Sequence, residues 1–259
     1  MSTPHPLEQH IQTALKERGI LLMSHIILGY PSLEENRKVI EAMVASGVDL
    51  MELQIPFSEP IADGPVIARA NQSALDGGFK VEAGMQLIAE ITAQHDIPFL
   101  IMTYTNILYA YGYEKFMQRA SAAGIKGLII PDLPFQEAGE VMRLCRQAGM
   151  AWVQLMTPTS TDERLAEIGT EAEGFVYCVA RRGVTGANTE FDDTVGTFIK
   201  RCKKATAVPL AVGFGVKSPE DVAYLKDKSE VAVVGSAALA VHEKEGAAAV
   251  GDFFRNLRL

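Results

Sequence analysis

Leu50-Met-Glu52-Leu-Gln54-Ile-Pro56-Phe-Ser-Glu59-Pro60-Ile-Ala-Asp63-Gly-Pro65 is an apolar run that ends in a stiff loop. Leu50, Met51, Leu53 and Ile55 are apolar at consecutive rather than alternating positions, the mark of a parallel strand covered on both faces. Alternation along that strand puts Leu50, Glu52 and Gln54 on one face. A carboxylate in such a row loses water, and desolvation raises a carboxyl pKa and suits it to acid–base work. Pro56 and Pro60 stiffen the loop beyond the strand, since each ring fixes φ and removes a donor. Asp63 precedes Gly64-Pro65, a turn pair, so a second carboxylate is expected at a bend of the same loop. Read singly, Glu52 fits a buried ion pair equally well, and Asp63 fits an Asx-turn.

Outward from this stretch the pattern repeats about eight times. Strands are expected at Leu21–Ile27, Leu50–Gln54, Phe99–Met102, Gly127–Ile130, Ala151–Leu155, Phe175–Val179, Leu210–Val212 and Val231–Val234. Helical segments are expected at Leu33–Ala45, Val81–Gln94, Tyr113–Ala123, Phe135–Gln147, Asp162–Gly169, Asp192–Ala205, Pro219–Lys226 and Ala247–Arg258. Ser32 reads as an N-cap, and Gly47, Gly124 and Gly149 stand where helices should stop. A leading helix over Leu7–Glu17 is placed to close the barrel bottom. No low-complexity linker breaks the series, so residues 1–259 are expected to form a single α/β domain, a (β/α)8 TIM barrel with an extra N-terminal helix. Periodicity alone leaves an open doubly wound sheet as the alternative.

Composition narrows the function. Hydrophobic residues make up 48% and charged residues 22% of 259, which allows a sizeable core. A net charge of −8 argues against nucleic acid as a partner. Cys145, Cys178 and Cys202 form neither a disulfide framework nor, with the five histidines, a metal-ligand spacing; no metal site is expected. No apolar run is long enough to span a bilayer, and the first residues lack the features of a signal peptide, so a reducing cytoplasm is the expected setting.

Glycines form a second constellation. They come after three successive late strands, in Arg181-Arg-Gly183-Val-Thr185-Gly186, Gly213-Phe-Gly215 and Gly235-Ser236. Glycine lets backbone N–H groups approach an anion, a helix start adds favourable dipole charge, and late-strand loops of barrels commonly hold phosphate. Ser236 is expected to cap the helix after the eighth strand. No lysine lies in an expected strand, so an imine-forming route lacks its nucleophile. Acid–base chemistry on a phosphorylated substrate remains, without a cofactor. Tyr104 and Tyr177 are candidates to flank an aromatic group, each offering a flat face and a hydroxyl. His25, near the end of the first strand, suits ligand contact or core packing equally.

These motifs resemble the tryptophan synthase alpha chain family, in family order from Gly29-Tyr-Pro31 to Gly235-Ser236. The resemblance implies cleavage of indole-3-glycerol phosphate into indole and glyceraldehyde 3-phosphate. It gives Glu52 the proton shuttle between indole C3 and the glycerol hydroxyl, and Asp63 the bond to the indole N–H. Gly186, Gly215, Gly235 and Ser236 match the phosphate-binding backbone, Arg181 and Gly183–Ala187 a lid, and Thr185 a threonine that positions the aspartate. Tyr104 and Tyr177 match the lining of the indole pocket. The resemblance further implies an αββα assembly with a beta chain that alone carries pyridoxal phosphate, with contacts expected at Pro56–Pro60, Asn106–Tyr111 and Asp132–Pro134. Departures from the family pattern are Glu59 for a common aspartate, Gln54 for a frequent glycine, and Ser24-His25 for a more usual aromatic-containing pair. They bear on substrate fit and partner coupling. Three rivals stay open: a degenerate chain that only activates a beta chain, a lyase or isomerase for another sugar phosphate, and a stand-alone indole producer.

Overall fold

A computed structural model of the chain describes residues 4–179, 193–213 and 215–258. Eight parallel strands succeed one another in chain order: β1 (Leu21–Ile27), β2 (Leu50–Gln54), β3 (Phe99–Met102), β4 (Gly127–Ile129), β5 (Ala151–Met156), β6 (Val176–Val179), β7 (Leu210–Gly213) and β8 (Val231–Val234). β8 pairs back onto β1, with Leu21 opposite Val231 and Ser24 opposite Val234. That pairing closes the barrel and excludes the open sheet.

Alternation along each strand divides the core in two. Leu21, Met23, Leu50, Leu100, Met102, Ile129, Ala151, Val153, Ala211, Val231 and Val233 point inward and pack together as the barrel's filling. Met51, Leu53, Ile101, Leu128, Trp152, Val212 and Ala232 point outward against the helices. Both faces of each strand are thus apolar, which is why the strands read as unbroken hydrophobic runs.

The helices are α1 (Pro6–Ala14), α2 (Leu33–Ala45), α3 (Pro65–Asp76), α4 (Val81–Thr92), α5 (Thr105–Tyr111), α6 (Tyr113–Ala122), α7 (Gly139–Gln147), α8 (Asp162–Glu171), α9 (Asp193–Ala205), α10 (Pro219–Leu225), α11 (Ser236–Glu245) and α12 (Ala247–Leu257). Ser32 caps α2 through a 3.1 Å bond from the Glu35 N–H, and Gly47, Gly124 and Gly149 all have positive φ, as expected of helix stops. α1 buries Leu7 and Ile11 against the first residues of the strands and so plugs the N-terminal end. Beside it, Asp49 accepts the Leu22 N–H at 2.7 Å and pairs with Arg18 at 2.9 Å and Arg258 at 2.6 Å, tying the chain's last turn to the barrel floor.

Two helices were not expected from the sequence, α3 and α5, while α11, expected only as a helix start at Ser236, runs to Glu245. An expected helix, α7, begins at Gly139 instead of Phe135, because residues 134–138 turn twice through the bonds Glu137 N–H to Pro134 O and Ala138 N–H to Phe135 O. The three cysteines are buried and free. Among the described residues no helix is long and apolar enough to cross a membrane.

Candidate active site

Glu52 sits within β2, pointing into the barrel above the apolar filling, and is only 2% exposed. Parallel pairing sets it opposite His25 of β1 on one side and Leu100 of β3 on the other. The His25 Nδ1 lies 3.2 Å from Glu52 Oε2, which has no hydrogen-bond partner among the described residues, a distance at which a protonated His25 forms an ion pair. Burial pulls the His25 pKa down, but Glu52, Asp63 and Gln54 outweigh it and leave His25 above the usual histidine value. His25 therefore faces the site, which settles a choice the sequence left open.

Asp63 comes to the same place from the loop after β2. Its Oδ2 accepts the Gln54 Nε2 at 2.6 Å and the Tyr104 hydroxyl at 3.0 Å. Burial raises the Asp63 carboxyl above the usual aspartate value; His25, Gln54 and Tyr104 pull it back, and the nearby Glu52 charge pushes it up again. The loop is held from below by Asn71 of α3, whose Oδ1 accepts the Phe57 N–H at 3.0 Å and Gln54 Nε2 at 3.3 Å. Gln54, bulky where glycine is frequent, thus anchors the Asp63 loop to the end of β2.

Tyr104 is fully buried just past β3, and its ring stacks on Phe57 with centroids 5.0 Å apart. Its hydroxyl donates to Asp63, and burial with the Asp63 charge keeps the phenol protonated far beyond neutral pH. Tyr177 of β6 is also held neutral, by burial first and then by Glu52 and Asp63. A Cβ on Gly213, the last residue of β7, would lie 2.5 Å from the Tyr177 oxygen, so only glycine lets that ring reach across.

At the late loops, Gly215 has φ +94°, a conformation open to glycine. Gly235 is the N-cap of α11, and Ser236 is its first helical residue. The expectation that Ser236 caps the helix is thus corrected. Among the described residues no side chain caps this end, and a helix start without a side-chain cap suits an anion. Arg181, Gly183, Thr185, Gly186 and Ala187 lie outside the described residues.

One contributor was missed from sequence, and a second, Asp132, stands in a segment expected only as a partner contact. Asn71 carries its signal only once α3 is recognised, as a polar residue on the buried face of a helix. Asp132, after β4, accepts the Thr105 N–H at 3.0 Å and the Thr105 hydroxyl at 3.0 Å and so caps α5. Among the described residues no three His, Cys, Asp or Glu side chains converge on a metal-sized space.

The arrangement has a counterpart among known proteins. The family model of the tryptophan synthase alpha chain matches residues 11–252. The tryptophan synthase alpha chain of Desulforapulum autotrophicum is 46% identical over 97% of this chain and 99% of its own. That of Desulfotalea psychrophila is 48% identical over 97% and 99%. Among solved structures, Mycobacterium tuberculosis tryptophan synthase superposes with a TM-score of 0.92 at 31% identity, over 99% of this chain and 100% of that one. The tryptophan synthase α2β2 complex of Pyrococcus furiosus gives a TM-score of 0.85 at 33% identity, over 93% and 96%.

Proposed function

The chain belongs to the tryptophan synthase alpha chain family, and from that membership we propose how its own residues carry out the cleavage of indole-3-glycerol phosphate. This is a carbon–carbon lyase reaction in tryptophan biosynthesis. Glu52 donates a proton to indole C3, which gives the indolenine tautomer with positive charge at the ring nitrogen. Asp63 accepts the indole N–H and stabilises that charge, a preorganised interaction in a water-poor site. Glu52 then takes the proton of the adjacent glycerol hydroxyl. The new carbonyl forms, the bond from C3 to the glycerol carbon breaks, and its electrons return to the ring. One proton is added and one removed, so Glu52 ends as it began.

The phosphate belongs at Gly215, Gly235 and Ser236, with Gly186 from the preceding loop, at the uncapped start of α11. Tyr177 lines the indole pocket; Tyr104 lines it and holds Asp63. Arg181 and Thr185 supply the lid. No cofactor takes part in this chain, and pyridoxal phosphate is assigned to a beta chain that receives the indole in a heterotetramer. The cytoplasm is the proposed compartment.

The observation that carries this reading is the convergence of two carboxylates, Glu52 and Asp63, on one buried patch above the barrel filling. Indole release from indole-3-glycerol phosphate, measured on the chain alone and with a beta chain added, tests it. Glu52→Gln should abolish release in both settings while glycerol 3-phosphate still binds. Near-native turnover by that variant would defeat the assignment.

A further inference from the structure

His25 is placed by register. Its Cα stands opposite Glu52 on the neighbouring strand, so both side chains enter the same interior layer. The imidazole packs against the β8–α11 loop, where a Cβ on Gly235 would lie 3.5 Å from the His25 Cβ. Nδ1 faces Glu52 Oε2 at 3.2 Å, and Nε2 is buried with no hydrogen-bond partner. A buried carboxylate oxygen without a hydrogen bond is costly unless a positive charge faces it. Among the described residues, His25 is the cationic side chain within ion-pair distance of Glu52.

Building on the reading of Glu52 as the proton carrier, we infer that His25 is a positioning residue for the cleavage. As an imidazolium it fixes Oε2 and leaves the other carboxylate oxygen to exchange a proton with the substrate. His25 keeps its own proton throughout, and Glu52 alone gains and loses one. The groups acting on His25 are Glu52 from β2, Asp63 from the loop after it and the neutral Gln54; the β8–α11 loop brings Gly235 and no ionisable side chain. Their net effect, against burial, is to hold the proton on His25.

Two measurements on the full chain test this, with a beta chain present wherever turnover needs one. The first tracks the imidazole signals of labelled histidine by NMR against pH, with His25 identified by its absence in His25→Gln. In Glu52→Gln the His25 midpoint should fall by about one pH unit or more, because the partner charge is gone. The second compares kcat and KM between about pH 5.5 and 9.5. Wild type should lose kcat as pH rises through the His25 midpoint, and both His25→Gln and His25→Phe should lack that limb. At pH 7, His25→Phe should lower kcat about tenfold or more and change KM less than about threefold. His25→Gln, which keeps a donor for Oε2, should recover part of the loss. An unchanged His25 midpoint in Glu52→Gln, or a His25→Phe profile superimposable on wild type, overturns the inference. Should His25→Phe fail to fold, the midpoint shift and His25→Gln still decide. Failure here with an inactive Glu52→Gln leaves the lyase reading standing; an active Glu52→Gln removes that reading itself.

Discussion

Asp63, the proposed acceptor of the indole N–H, works against the stability of its own fold. Its carboxyl is raised by burial, so its ionised form is less favourable in the folded chain than in the unfolded one. The penalty is absent in acid, sets in above the unfolded pKa and is complete above the folded one. Asp63→Asn removes it, and the amide oxygen still accepts from Gln54 and Tyr104. The variant should therefore match wild type in thermal stability near pH 4 and exceed it by a few degrees at pH 7–8. Its kcat should fall by about 10²-fold or more, because the charge that answers the indole N–H is gone. Calorimetry across pH, paired with the indole assay, checks both; a variant less stable than wild type at pH 8 would contradict the sign. At this scale the sequence is informative about which side chains stand out and poor about their partners. Glu52 and Asp63 stand out because carboxylates in an apolar strand and a Pro-rich loop are conspicuous. Gln54 reads from sequence as mere bulk, since its bond to Asp63 spans a loop whose path only the fold reveals.

The elements divide in the same way. Strands β1 to β8 are legible because two-sided burial leaves a continuous apolar run, and Gly stops mark the helices before them. α3 escapes notice because Gly64-Pro65 reads as a turn, although Pro at the first helical position with Gly at the N-cap is also a helix start. α5 lacks a capping side chain of its own and borrows Asp132 from the next loop, a long-range partner invisible to local pattern. α11 has little apolar stripe and buries only Ala238, so periodicity has nothing to find. α1 is the opposite case: its Leu7 and Ile11 predict a plug, and they form one. Ile11 is fully buried at the barrel floor, at the far end from Glu52. Ile11→Ala should cost about 3 kcal/mol of stability by leaving a cavity there. Its kcat for cleavage at 25 °C should stay within about twofold of wild type, since the bonds described for Glu52 and Asp63 involve no residue of α1. Denaturant titration and the indole assay measure the two effects separately, and a large loss of turnover in still-folded protein would show that the floor and the site are coupled.

In the whole molecule the two ends of the barrel carry opposite tasks. The N-terminal end is sealed by α1 and by the Asp49 pairs with Arg18 and Arg258. The C-terminal end holds Glu52 and Asp63, and two large apolar side chains are left exposed on the segments that follow β2 and β3. Ile61, in the loop that carries Asp63, is 70% exposed, and Tyr109 of α5 is 75% exposed. Large apolar groups left in water beside a site are what a protein partner would cover, and aromatic side chains dominate such contacts. Tyr109 lies within the segment expected to meet a beta chain, and α5 is fixed to the rim by Asp132, so its placement does not depend on a partner. Tyr109→Asp should therefore leave turnover of the chain alone within about twofold, because Tyr109 touches neither carboxylate. The beta-chain concentration giving half-maximal activation should rise about tenfold or more, as expected when one anchoring aromatic is replaced by a charge. Titrating beta chain into both proteins while monitoring indole release distinguishes the outcomes. An unshifted curve would move the interface elsewhere on the rim, whereas a fall in the isolated chain's turnover would mean that α5 shapes the indole pocket itself.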